Sequence, residues 1–311
     1  MKQAPPLPAA AQRVGAPGAV GSSLIRVQEL PVETRTGEEL SLEQKDAALD
    51  RSLRELPAVI IAYSGGVDSA YLAFAAHRAL GRNALCVTAD SPSYPERHRA
   101  LALRIALEFG FKHEILQTAE MSVPEYRANP ANRCYYCKHE LYTQLTAIAR
   151  DRGIPAVADG SNADDRGDYR PGRQAAREFG VRSPLDDAGL TKAEIRELSH
   201  RVGLPTWDEP ASACLSSRIP YFSEVTDEKL RMIEQAENAL HDLGFRVCRV
   251  RHHDTIARLE IGRDEMARAL EPEVADAIDG RLRALGYAHV TIDVRGYRLG
   301  SLNEALKLRA V

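Results

Sequence analysis

The chain has 311 residues, 44% hydrophobic and 27% charged, with a formal net charge of −3. That length suits two domains with real cores, and the composition is that of a soluble globular protein. The charge balance excludes a global electrostatic pull toward nucleic acid or an anionic membrane.

No stretch is long and apolar enough to span a bilayer, and the N-terminus, one lysine and then prolines, lacks a signal peptide's apolar core. The cytoplasm is the expected compartment, where five cysteines point to metal or reactive thiols more than to disulfides. Residues 1–22, rich in Ala, Pro and Gly, are expected to be a disordered tail without chemistry. Leucines at 42, 49, 53 and 56 fall near helical spacing and predict a helix from Ser41 to Leu56.

The apolar run Val59–Ala62 reads as a buried parallel strand. Ser64-Gly65-Gly66-Val67-Asp68-Ser69 follows, and an alanine- and leucine-rich helix runs from about Val67 to Leu80. Two glycines let the backbone turn sharply with no side chain blocking approach. N–H groups of the loop and helix start then point at one spot, where the helix dipole favours an anion. Ser64 and Ser69 add hydroxyl donors. Asp68 makes sense beside phosphates if Mg2+ sits between them. An ordinary strand-to-helix turn is the plain alternative. The whole S-G-G-x-D-S string, in this setting, resembles the PP-loop of N-type ATP pyrophosphatases, which cleave ATP between the α and β phosphates. On that resemblance Ser64, Gly65, Gly66, Val67, Asp68 and Ser69 bind ATP and its pyrophosphate.

A second strand, Ala84–Ala89, runs into Asp90-Ser91-Pro92-Ser93-Tyr94-Pro95, where two prolines force a loop. Ligands bind at the carboxyl edge of an open parallel sheet, so Asp90 is grouped with the nucleotide site; a plain connection is the alternative. A helix, Glu96–Phe109, and a strand, Lys112–Leu116, continue an alternation that predicts a doubly wound parallel sheet.

Asn132-Arg133-Cys134-Tyr135-Tyr136-Cys137-Lys138 opens a helix to about Asp151. A CxxC at a helix start gathers two sulfurs on one face, and Arg133 and Lys138 supply charge that lowers thiol pKa. Structural zinc usually wants four ligands, and no second CxxC is present. A redox pair fits less well inside an ATP-binding fold. After a strand at Ala156–Asp159, Asp164 and Asp165 serve as helix caps or as partners of Mg2+ and ribose. Arg170-Pro171-Gly172-Arg173 leads into a helix through Phe179, and Arg182–Leu185 returns toward the sheet. Thr191 and Glu194 form a capping box for a helix to Val202. In Trp207–Tyr221, small neighbours leave the sulfur of Cys214 accessible, and Arg218 stabilises a thiolate or binds phosphate. A buried, inert cysteine is the alternative there, and it is the better reading of Cys86 and Cys248 in their apolar strands.

From Ser223 onward the texture changes to a small α+β unit. A helix, Thr226–Leu243, precedes a strand that puts Arg249 and Arg251 on one face. Ile256–Ile261 carries Arg258 and Glu260 on one face, and helices at Arg263–Leu270 and Glu273–Gly286 precede a last strand, His289–Val294. The arginine pair is either a solvated sheet face or a bidentate clamp for a mononucleotide phosphate.

In order, YSGGVDS, DGSNADD, RPGRQAAREFGVRSPL, PASACLSSRIPY and VRVRHHDTIARLEIG resemble the LarE family, ATP-dependent sulfur transferases of nickel-pincer nucleotide biosynthesis, from about Ser41 to Val294. The resemblance implies a PP-loop, adenine-nucleotide α-hydrolase-like α/β domain over 41–220. A C-terminal α+β domain over 221–311 would serve substrate binding and oligomerisation in a homo-oligomer. ATP and Mg2+ would adenylate a carboxylate of a pyridinium biscarboxylic acid mononucleotide. A sulfur nucleophile would then displace AMP to give a thiocarboxylate, with no nickel needed. Asp68 is implied as a metal contact, Cys214 as the sulfur residue, and Arg218, Arg249, Arg251 and Glu260 as contacts to phosphate. Some members carry only the cysteine at the position of Cys214 and sacrifice its sulfur, leaving dehydroalanine. Here Cys134 and Cys137 accompany it, as in members where three thiolates hold a [4Fe–4S] cluster and leave one iron open for sulfide. No motif identifies the sulfide donor. A tRNA thiolase is the nearest rival, but zinc ribbon, RNA-binding module and basic excess are lacking. A nucleotide sensor would leave Asp68, the cysteines and the arginine pair without purpose, and an amidotransferase-type synthetase would need a glutaminase partner. No nucleic acid or membrane partner is expected.

Overall fold

A computed structural model of the chain describes residues 40–167, 171–210 and 213–307, so the tail expected over residues 1–22 lies outside the described residues. Helix α1 (Leu42–Arg54) begins at a capping box in which the Ser41 hydroxyl accepts the Gln44 N–H and the Gln44 side chain accepts the Ser41 N–H. Four parallel strands follow: β1 (Val59–Ala62), β2 (Ala84–Asp90), β3 (Lys112–Gln117) and β4 (Val157–Ala158), in the order β3-β2-β1-β4. Helices α2 (Val67–Leu80), α3 (Glu96–Glu108), α4 (Pro124–Arg127), α5 (Arg133–Asp151), α6 (Pro171–Glu178), α7 (Pro184–Asp187) and α8 (Lys192–Arg201) lie between and after them.

Alternation along β1 sends its residues into two cores. Val59 and Ile61 pack with Leu49 and Leu53 of α1, Leu72 of α2, Ile105 of α3 and Ile195 of α8. Ile60 packs on the opposite side with Tyr142 and Leu145 of α5 and Ala175 of α6. A strand buried on both faces reads as a continuous apolar run, and helices on both faces make the sheet doubly wound, as expected. Chain order reverses at β1, so the β1–α2 loop emerges at the switch point where such sheets bind ligands. The expected return at Arg182–Leu185 is reduced to a single bridge between Ala158 and Arg182. Pro184, lacking an N–H to extend a ladder, starts α7 instead.

The C-terminal region holds α9 (Asp227–Asp242), β5 (Cys248–His253), β6 (Ile256–Ile261), α10 (Met266–Ala269), α11 (Pro272–Ala284), β7 (His289–Ile292) and α12 (Ser301–Lys307). β5 and β6 are antiparallel, β6 and β7 parallel. Register puts Cys248, Val250, Leu259 and Ile261 on one face, packed with Ala236 and Leu240 of α9 and Leu282 of α11. The opposite face carries Arg249, Arg251, Arg258 and Glu260. Among the described residues, no helix is long and apolar enough to cross a membrane.

Candidate functional site

Gly65 sits at φ +65°, and a Cβ there would lie 2.6 Å from the Cβ of Ala102 on α3. Only glycine takes this conformation and this contact without strain. Gly66 is the N-cap of α2 and has no side chain to close the helix end, so the first-turn N–H groups lack intrahelical acceptors. Ser69 Oγ ties the loop together: it donates to Gly66 O and accepts the Ser64 N–H, each at 3.1 Å. The loop after β4 closes on the same helix start, since a Cβ on Gly160 would lie 2.9 Å from Ser69 N.

Asp68, with its side chain 22% exposed, accepts from Lys192 Nζ at 2.5 Å and Asn162 Nδ2 at 3.2 Å. Lys192 opens α8, where its N–H donates to Asp164 at 2.8 Å, and Asp165 accepts the Asn162 N–H at 3.1 Å. Asp164 therefore caps a helix, as one of the two expectations had it, and Asp165 braces a turn. Lys192 and Asn162 escaped sequence reasoning because they reach Asp68 from 124 and 94 residues away, with no local signal. Asp90, at the carboxyl end of β2, accepts from Arg99 and Gln117, both at 2.9 Å.

The loop after β2 connects this site to the cysteines. Tyr94 Oη donates to Ser64 O at 2.9 Å, and Ser93 O accepts the Leu215 N–H at 2.8 Å. The buried carboxylate of Glu120 anchors the loop by accepting from the Ser91 and Ser93 hydroxyls.

Cys214 is the N-cap of a 3-10 turn, Leu215–Arg218, while Cys134 and Cys137 lie one turn apart at the start of α5. Between them runs Arg133, 3% exposed: Nη2 is 3.9 Å from Cys214 Sγ, and Nη1 donates to Ser216 O at 2.9 Å. Tyr126 Oη and Ser216 Oγ share a bond of 2.6 Å beneath the turn. Burial pushes the Cys137 thiol up, with the charges of Glu120 and Cys214 adding to it. Cys134 is open to solvent yet ringed by protein; that crowding raises its thiol, Arg133 works against it, and charge on Cys214 raises it further. Among the described residues, no three His, Cys, Asp or Glu side chains gather tightly enough to hold a single metal ion. Cys86 and Cys248 are buried, and burial pushes both thiols up to about 12, as inert core cysteines require.

The arginines sort by their partners. Arg218, 1% exposed, meets Glu237 through two bonds of 2.9 Å and donates to the carbonyls of Ala213 and Cys214. It faces protein acceptors and fixes the Cys214 segment to α9. Arg251 donates to Glu260 at 2.7 Å, to Ser301 and to Ser217 O, while its buried Nε has no partner. Arg249 lies over the Tyr297 ring and lines a cavity of about 40 Å³ with Arg218, Glu237 and His98. Arg249, Arg251 and Glu260 are 8%, 6% and 0% exposed, which removes the solvated-face reading of this sheet.

No family model matches the chain. The chain is 43% identical to the uncharacterized protein slr1717 of Synechocystis over 265 residues, 85% of this chain and 99% of that one. It is 28% identical over 201 residues to one component of the glutamine-hydrolyzing GMP synthase of Methanopyrus kandleri, covering 57% of this chain and 60% of that one. To the pyridinium-3,5-bisthiocarboxylic acid mononucleotide synthase of Lactiplantibacillus plantarum it is 35% identical over 267 residues, 86% of this chain and 96% of that enzyme. At that identity and coverage, the chain belongs to the family of that synthase, the LarE family.

Proposed function

We propose that this chain uses ATP to adenylate a carboxylate of a pyridinium biscarboxylic acid mononucleotide and then exchanges the activated oxygen for sulfur. The observation that carries this reading is the bridge in the β2–α3 loop. Adjacent residues, Tyr94 and Ser93, bond to the PP-loop at Ser64 and to the cysteine segment at Leu215. One loop therefore braces both segments, and on this reading a carboxylate activated at the first passes to the sulfur of the second.

In the first step a substrate carboxylate oxygen attacks the α phosphorus, and pyrophosphate leaves with the β and γ phosphates. The N–H groups of Gly65–Ser69 and the Lys192 ammonium stabilise its charge. Asp68, partly exposed at the helix mouth, fits a Mg2+ contact, and that ion would neutralise phosphate charge. In the second step the Cys214 thiolate attacks the acyl carbon, the bond to AMP breaks, and a thioester forms. Loss of the Cys214 Cα proton to a base breaks its Cβ–S bond. The sulfur remains on the substrate as a thiocarboxylate, and dehydroalanine remains in the chain. Arg251, whose buried Nε lacks an acceptor, is assigned with Arg249 to the mononucleotide phosphate, and Glu260 serves that contact by holding Arg251.

Cys134, Cys137 and Cys214 fit a [4Fe–4S] cluster in kind. A single zinc draws its sulfurs to about 2.3 Å from one metal, whereas a cluster takes one thiolate per iron and accepts a wider spacing. When bound, a cluster supplies an open iron that carries sulfide and makes sulfur donation repeatable. Iron and acid-labile sulfide on protein purified without oxygen test this directly. About four irons per chain, lost in Cys134→Ala, are expected; no iron after reconstitution would leave the sacrificial route alone. For the adenylation, pyrophosphate release that depends on the mononucleotide is expected. Tight ATP binding with no pyrophosphate released would overturn the reading in favour of a nucleotide sensor.

A further inference from the structure

Arg133 differs from two other buried arginines of the site, Arg218 and Arg251. Arg218 has Glu237 and Arg251 has Glu260 as counter-charge. Among the described residues, no carboxylate forms an ion pair with Arg133; its guanidinium donates to neutral oxygens of Asn129 and Ser216, meets Cys214 Sγ at 3.9 Å and also bonds toward Cys134. The ionisable groups that surround it are Cys214, Cys134, Tyr126 and Tyr221. A buried charge is costly unless paired, so the recess beside this cation is a place where negative charge is favoured.

The cation is also held in place by unusual backbone. Asn129 is fully buried at φ +54°. Its Nδ2 donates to Pro220 O at 2.8 Å and Ser223 O at 3.0 Å, while its Oδ1 accepts from Arg133. Phe222 N–H returns to Asn129 O at 2.9 Å. The segment after Cys214 and the start of α5 are thereby locked around one guanidinium.

We infer that Arg133, set by Asn129, is a positioning residue that fixes Cys214 and makes the recess at its sulfur an acceptor of small anions, such as hydrosulfide or an adenylate phosphate. This rests on the reading of Cys214 as the reacting sulfur, and its test needs no turnover. The full chain, freed of iron, is alkylated with anionic iodoacetate and with neutral iodoacetamide at one pH. Modification of the Cys214 peptide is followed by mass spectrometry. The same sulfur attacks both reagents, so its ionised fraction cancels in the ratio of rates, which reports the local field. Relative to a neutral free thiol such as N-acetylcysteine amide, the ratio is expected to favour iodoacetate by about fivefold or more. Arg133→Met should return it to the free-thiol value, and Arg133→Lys should keep most of it. A wild-type ratio at or below that of the free thiol overturns the inference without any variant. So does an unchanged ratio in Arg133→Met with a native circular dichroism spectrum; if that variant does not fold, the wild-type and Lys ratios decide. Failure of adenylation would overturn the functional reading and leave this ratio where it is.

Discussion

At the PP-loop, the groups that face a ligand are mostly backbone N–H, shaped by Gly65 and Gly66 and by one serine hydroxyl. At the cysteine end they are side chains, held by buried ion pairs that reach the Cys214 segment from α9 and β5. The first site needs sharp turns and an open helix end; the second needs charges placed in a low-dielectric interior, where removing one partner strands the other. The first site is thus written in one contiguous string. The second is assembled from segments that the fold brings together.

The contrast is broken most severely at Arg218. Its loss strands the Glu237 carboxylate, so Arg218→Ala should cost about 3–5 kcal/mol, read from the urea midpoint. Burial alone would raise the Glu237 carboxyl, but Arg218 and the Val250 N–H outweigh it and hold the group below its ordinary value. A carboxyl depressed in the folded state stabilises above its unfolded pKa and loses that contribution as pH falls through the folded one. Wild-type stability should therefore decline on acidification below about pH 4.5, and Arg218→Ala should flatten that decline.

Gly65→Ala comes next. Its Cβ would press on Ala102 at a φ that favours glycine, and a stability loss of about 1–3 kcal/mol is expected. Pyrophosphate release should fall with it while alkylation of Cys214 stays normal, separating the two sites. Lys192→Met should leave the fold intact and slow mononucleotide-dependent pyrophosphate release by roughly tenfold or more; an unchanged rate would remove Lys192 from the nucleotide site. Arg54→Ala sets the baseline. It removes an exposed ion pair with Asp50 and should leave the urea midpoint where it was, since such pairs contribute little.

Legibility in the sequence followed the same divide. The strand, loop and helix around Gly65 are local and periodic, so the string from Val59 to Leu80 disclosed its own fold. Parity along β5 correctly placed Arg249 and Arg251 on one face, but parity does not tell burial from exposure. Glu260 opposite Arg249, with Ser217 and Ser301 beyond, makes that face interior. The arginine at 218 read as a ligand contact because its partner, Glu237, lies on a helix whose carboxylates look like an ordinary wet surface. Asn129 gave no signal, because its left-handed backbone and its bonds to residues 219–223 exist only after folding.

The central claim is that activation at the PP-loop and sulfur at Cys214 serve one substrate. It is tested most directly by supplying ATP and the pyridinium biscarboxylic acid mononucleotide to Cys214→Ala and assaying both products. Pyrophosphate should form at close to the wild-type single-turnover rate while no thiocarboxylate appears. A thiocarboxylate formed at the wild-type rate would contradict the account.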